Sequence, residues 1–83
     1  MTRIGKSTGT ARLDANIARN IRQALKLDND VPDEQISVDV SHGLATLGGI
    51  VETDLQKDAA EADARQVKGV RDVMNRIGLQ APF

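Results

Sequence analysis

The segment Ile36–Val51, ISVDVSHGLATLGGIV, reads as a β-hairpin. Ile36, Val38 and Val40 alternate with Ser37, Asp39 and Ser41, then Ser41-His42-Gly43 interrupts the run, and Ala45, Leu47, Gly49 and Val51 fall on one side of a second alternation. A period of two puts apolar side chains on one face of the ribbon. Gly43 is the expected positive-φ residue at the corner. A two-stranded ribbon with one apolar face is at best marginal in water, so the segments flanking it must supply the cover.

Both flanks read as amphipathic helices. Upstream, from about Ala11, the residues Leu13, Ile17, Ile21, Ala24 and Leu25 recur at helical spacing, with Thr10 or Asp14 available to cap or charge the start. Arg12, Arg19, Arg22 and Lys26 cluster on the opposite side, which gives the helix a core face and a basic face. Pro32 ends the helical run by Asp28 to Asp30, and Pro32-Asp33-Glu34 turns the chain into the first strand. Downstream, Thr53 and Gln56 have capping-box spacing and Asp54 adds negative charge to the first turn. This second helix is expected to run to Lys68 and stop at Gly69 in a left-handed conformation. Ala60, Ala64 and Val67 share one of its faces, and Leu55, Ala59 and Ala62 form a second stripe.

Gly48-Gly49 would weaken an ordinary strand and points either to a bulge or to close approach of a helix backbone, the small residues of the second helix being suited to lie over it. Beyond Gly69, Val73, Ile77 and Leu79 keep period two in a third strand; Asn75 shares their face and, if buried, requires hydrogen-bond partners. The order αββαβ defines an α+β domain with two helices packed on one face of a three-stranded mixed sheet. Residues 1–10, with glycines, threonines and no apolar period, are expected to form a flexible basic arm, and residues 11–83 a single domain.

The totals limit the function classes. Eighty-three residues, no cysteine, one histidine and a single aromatic, Phe83, leave an aliphatic core with no disulfide to staple it. No run approaches the roughly 20 apolar residues that cross a bilayer. The start, MTRIGKSTGTAR, lacks the apolar region and cleavage site of a secretory signal, which points to the cytoplasm. Net charge is −1 but unevenly placed: six basic residues stand against one acid in residues 1–26, two against ten in 27–66, and three against one in 67–83.

The frame of Ala24-Leu25, Ile36-x-Val38-x-Val40, Gly43 followed by Thr46-Leu47-x-Gly49-x-Val51, and Gly69-Val70-x-x-Val73-x-Asn75-x-Ile77 resembles the BON domain over roughly residues 12 to 79. BON domains are small α/β modules of bacterial osmotically inducible and nodulation-associated proteins. The resemblance implies an exported, periplasmic setting, association with phospholipid or other envelope surfaces, potassium binding in some relatives, and no enzymatic activity. It also gives Gly43, Gly49, Gly69 and Asn75 structural roles.

Among candidate sites, the basic face is the one with an evident partner. Arg3, Lys6, Arg12, Arg19, Arg22 and Lys26 together suit peripheral attachment to anionic phospholipid or an envelope surface. A different class of partner, a protein or a second copy of the chain, would use a sheet edge or the stripe Leu55, Ala59, Ala62. Gly5-Lys6-Ser7-Thr8 lacks the rest of a phosphate-binding loop. The acidic stretch Asp28, Asn29, Asp30, Asp33, Glu34 is better suited to caps and turns than to a cation, because Pro32 and the missing glycine and glutamate spoil the calcium-loop pattern. His42 has no neighbours in sequence for a metal or a nucleophilic relay, so no metal, cofactor or catalytic residue is expected. With neither a G-x-x-G loop nor a sheet aromatic, no nucleic-acid partner is expected.

Overall fold

The computed structural model describes the backbone of residues 2–80 and side chains from residue 12 onward. Helix α1 spans Thr2–Leu27, β1 Ile36–Ser41, β2 Leu44–Val51, α2 Asp54–Arg65, β3 Asp72–Asn75 and β4 Gly78–Leu79. A 3-10 turn at Asp33–Gln35 follows Pro32 and leads into β1. Strands β1 and β2 pair antiparallel, β2 and β3 parallel, which places β2 at the centre, and β4 continues the parallel pairing at the far end of β2.

The hairpin register pairs Val38 with Leu47 and Val40 with Ala45, so the alternation read from sequence becomes one apolar surface. Val38, Ala45, Leu47, Val51, Val73 and Ile77 are buried on it. Helix α1 covers this surface with Ala18, Ile21 and Leu25, and α2 with Ala60 and Ala64, whose small side chains let the helix lie close. Val31 plugs the bend between α1 and β1. No polar or charged residue is buried among the described residues, so the core is held by aliphatic packing.

The structure departs from the sequence reading in five places. Helix α1 starts at Thr2, upstream of the expected start near Ala11; extending an existing helix requires no second nucleation, and no proline interrupts it. Leu13 is 63% exposed although it shares the periodicity of the core face, because it lies level with the hairpin turn, where the sheet ends. Helix α2 stops at Arg65, four residues before Gly69. Gly69, at φ +100°, instead sits in a turn that Val70 N–H closes onto Val67 C=O. Gly49, at φ +111°, makes way for the Gln35 carbonyl ahead of β1 and not for a helix backbone. The third strand is split: the register Leu47 to Asn75 resumes as Ile50 to Gly78, with Arg76 N–H still donating to Leu47 C=O and Ile77 N–H leaving the ladder.

Candidate functional site: the cationic face of helix α1

Helix α1 runs antiparallel to β1, tied to it at two heights. Near the hairpin turn, Asp14 accepts hydrogen bonds from the backbone N–H groups of His42 at 2.8 Å and Gly43 at 3.2 Å. Two turns further along, Arg22 donates through Nη2 to the Val38 carbonyl at 3.1 Å. Val38 lies on the edge strand, so the guanidinium occupies one of the acceptors that an added strand would use.

Arg12, Arg19, Arg22 and Lys26 lie within an arc of about 80° at 100° per residue, and all four are solvent-exposed. Arg12, Arg19 and Lys26 make no ion pair among the described residues. The one acid of the helix, Asp14, spends both carboxylate oxygens on the hairpin turn. Ala15 stands among the cations and Asn16, Asn20 and Gln23 border them, which leaves the face positive and otherwise uncharged. Arg3 and Lys6 lie in the helical backbone; their side chains lie outside the described residues.

The second stripe on α2 is divided by the packing. Leu55 is 78% exposed and Ala62 is exposed, whereas Ala59 packs partly against the core. These three residues therefore do not present one continuous apolar surface. The capping box is present as read: Thr53 Oγ1 accepts from Gln56 N–H, and Gln56 Oε1 accepts from Thr53 N–H.

The glycines and Asn75 shape the scaffold under this face. His42, at φ 52°, and Gly43, at φ 83°, both occupy the left-handed region, the requirement of a two-residue type I′ hairpin turn. Asn75 sits where β3 leaves the ladder: its Oδ1 accepts from Ile77 N–H at 3.1 Å, while Nδ2 donates to Lys57 C=O at 3.1 Å and Glu61 Oε1 at 3.2 Å. The half-buried amide thus meets the strand's stray N–H and fastens α2 to the sheet. Arg65 reinforces that contact by pairing with Glu61 at 3.0 Å and Asp72 at 3.2 Å. The hydrogen bonds from Asn75 and Arg65 lower the Glu61 pKa from its ordinary value.

In the acidic stretch, Asp28 Oδ1 accepts from Asp30 N–H at 3.0 Å, closing an Asx turn. No group of three or more metal-ligating side chains converges among the described residues. Sequence reasoning missed a pairing here, that of Asp28 with Asp63 on α2. Burial first, then hydrogen bonding to Asp28, pushes the Asp63 carboxyl up to about 6, and the same hydrogen bond holds Asp28 below its usual value. Asp63 Oδ2 is the buried side-chain oxygen left without a donor among the described residues. No sequence spacing marks this pair, since 35 residues separate its members and the contact exists only once the helices pack.

The elements define a small α+β module with a central parallel–antiparallel strand, a cationic helix face and no assembled catalytic group among the described residues. The chain belongs to the BON domain family, whose profile matches residues 13–81. Osmotically-inducible protein Y of Escherichia coli (strain K12) is 34% identical over 64 residues, which cover 77% of this chain and 32% of that protein. The chain thus spans about a third of the length of that relative.

Proposed function

We propose that this domain is a non-catalytic binding module that attaches peripherally to anionic phospholipid or a like envelope surface, in a role linked to osmotic stress. The observation that carries the reading is the face of α1 on which Arg12, Arg19, Arg22 and Lys26 are exposed while Asp14 is tied to the hairpin. Each basic residue near an anionic bilayer contributes about 1 kcal/mol, so three or four acting together give weak, salt-sensitive attachment. The name of the relative, osmotically-inducible protein Y, supports the link to osmotic stress. Flotation with phosphatidylglycerol-containing vesicles at low and physiological salt tests the reading, with Arg12→Glu/Arg19→Glu as the charge-reversed control. Arg22 is unsuited to that control alone, because its reversal also removes the bond to Val38.

A second reading, a protein-interaction or self-assembly module, is favoured by the exposure of Leu55. It predicts an apparent mass that rises with concentration and is lost in Leu55→Glu.

A further inference from the structure

Both helices pack on one face of the sheet and leave the other face open. On the open face β1 presents Ser37, Asp39 and Ser41, as a solvated strand should. The face changes character at β2 and β3. Leu44 and Ile50 of β2 stand there 37% and 54% exposed, and Met74 of β3 47% exposed. None of the three belongs to the core. The registers tie the two halves together: Asp39 pairs with Thr46 and Thr46 with Met74, so these residues form one row across the sheet.

A bare apolar strip is unexpected at this place. Strands β2 and β3 pair parallel, and parallel ladders are ordinarily covered on both sides. The charges that flank the strip indicate the cover. Asp39 stands towards the β1 edge, and Arg76, whose N–H carries the ladder on to Leu47 C=O, towards the β3 edge. Neither makes an ion pair among the described residues, whereas Asp72, the acid at the start of β3, is held by Arg65. Two copies set face to face about a two-fold axis along β2 lay β1 of each over β3 of the other. Asp39 of one copy then lies over Met74 of the other, two residues or about 7 Å along the strand from Arg76, a span that an arginine side chain bridges. The same operation sets Leu44 on Leu44 and Ile50 on Ile50, so the strip is complementary to itself and each free charge falls beside its opposite.

We propose that the open sheet face is a homodimer interface, in which a second copy of the chain covers Leu44, Ile50 and Met74 and Asp39 of each protomer lies beside Arg76 of the other. The inference rests on the self-assembly reading above and assigns the contact to the sheet in place of Leu55 on α2. Helix α1, on the opposite side of the sheet, stays free for an anionic surface.

Sedimentation equilibrium from about 10 to 500 µM, at low salt, tests the proposal. Wild type is expected to move from 8.9 kDa towards twice that mass as concentration rises. Ile50→Gln, at an exposed position, is expected to weaken association about tenfold or more while its melting temperature at low concentration stays that of wild type. Asp39→Arg and Arg76→Asp, each of which sets like charges together, are expected to weaken association about tenfold, and the double variant Asp39→Arg/Arg76→Asp to return to within about threefold of wild type. Leu55→Glu is expected to associate like wild type. Association that is lost in Leu55→Glu and kept in Ile50→Gln would overturn the sheet interface and leave self-assembly through α2 standing. A double charge variant as weak as either single one would overturn the two-fold arrangement. If wild type stays at 8.9 kDa at every concentration, the sheet interface and the self-assembly reading fall together.

Discussion

Asp14 of α1 and His42 of the hairpin turn are joined by a 2.8 Å hydrogen bond, in which the His42 backbone N–H donates to the Asp14 carboxylate. In a type I′ turn the backbone curls so that its amides point outward, and here a helix supplies the anion that receives them. The contact fixes α1 lengthwise on the sheet and holds the one acid of the helix against the hairpin turn, away from the cationic face. Asp14→Ala is expected to lower stability by about 1–3 kcal/mol, read as the shift of the urea midpoint at constant m. His42→Asn should be neutral or stabilising, because asparagine tolerates the left-handed backbone that His42 adopts. A loss of several kcal/mol in His42→Asn would show that the imidazole itself holds the turn.

Substitution of the glycines by alanine should follow a fixed order. At Gly49 a Cβ would run into the Gln35 backbone carbonyl at φ +111°, and neither strand can yield without breaking the hairpin register. Gly49→Ala should therefore cost about 3 kcal/mol or more. Gly69→Ala meets the tip of the Ile17 side chain, which can rotate, and should cost about 1–2 kcal/mol. Gly48→Ala, at an ordinary φ with the Ser37 hydroxyl as its nearest neighbour, should cost least. Equal losses at Gly48 and Gly49 would contradict this account of the close approach.

The Asn75 amide makes three hydrogen bonds at a site where an apolar side chain could make none. Asn75→Leu should cost about 2–3 kcal/mol, since it strands the Ile77 N–H at the break between β3 and β4. Amide exchange at Ile77 should accelerate more than at Val73, which remains inside the paired strand. Uniform acceleration along β3 would mean that the amide contributes only packing.

Asp63 and Asp28 give the domain a pH dependence of defined sign. With its folded pKa raised from 3.8 to about 6, Asp63 holds a proton in the folded state over a range in which the unfolded chain has released it. Stability from this group is full below about pH 4 and is lost as pH rises towards 6 and beyond. Asp28, shifted downwards, acts in the opposite sense only at the acid end. The melting temperature should therefore be a few degrees higher at pH 5 than at pH 7.5, and Asp63→Asn should flatten that slope and stabilise the domain at pH 7.5. An unchanged slope in Asp63→Asn would assign the pH dependence to other groups.

The hairpin, both helices and the third strand were legible because each rests on local signals: alternation in Ile36–Val51, the Thr53/Gln56 spacing, Pro32 and the positive-φ glycines. The errors fall where the outcome depends on what lies across a gap in sequence. Leu13 obeys the helical period but has no sheet beneath it, and period alone cannot report where a sheet ends. Gly48-Gly49 points in sequence to a bulge or to a helix backbone, whereas the atom that crowds Gly49 belongs to Gln35, its neighbour only through the hairpin register. The basic stripe was visible as periodicity; the sequestration of Asp14 and the diversion of Arg22 to Val38 were not, since both depend on how α1 docks. The Asp28 and Asp63 pairing arises from tertiary packing and leaves no sequence signal.

Whether the cationic face of α1 holds the domain on an anionic surface is decided by flotation of wild type and Arg12→Glu/Arg19→Glu with phosphatidylcholine vesicles with and without phosphatidylglycerol. Wild type is expected to float with the anionic vesicles alone, more strongly at low salt, and the double variant to stay at the bottom of the gradient with an unchanged melting temperature. Equal flotation of the two proteins, or binding of wild type to neutral vesicles as strongly as to anionic ones, would contradict it.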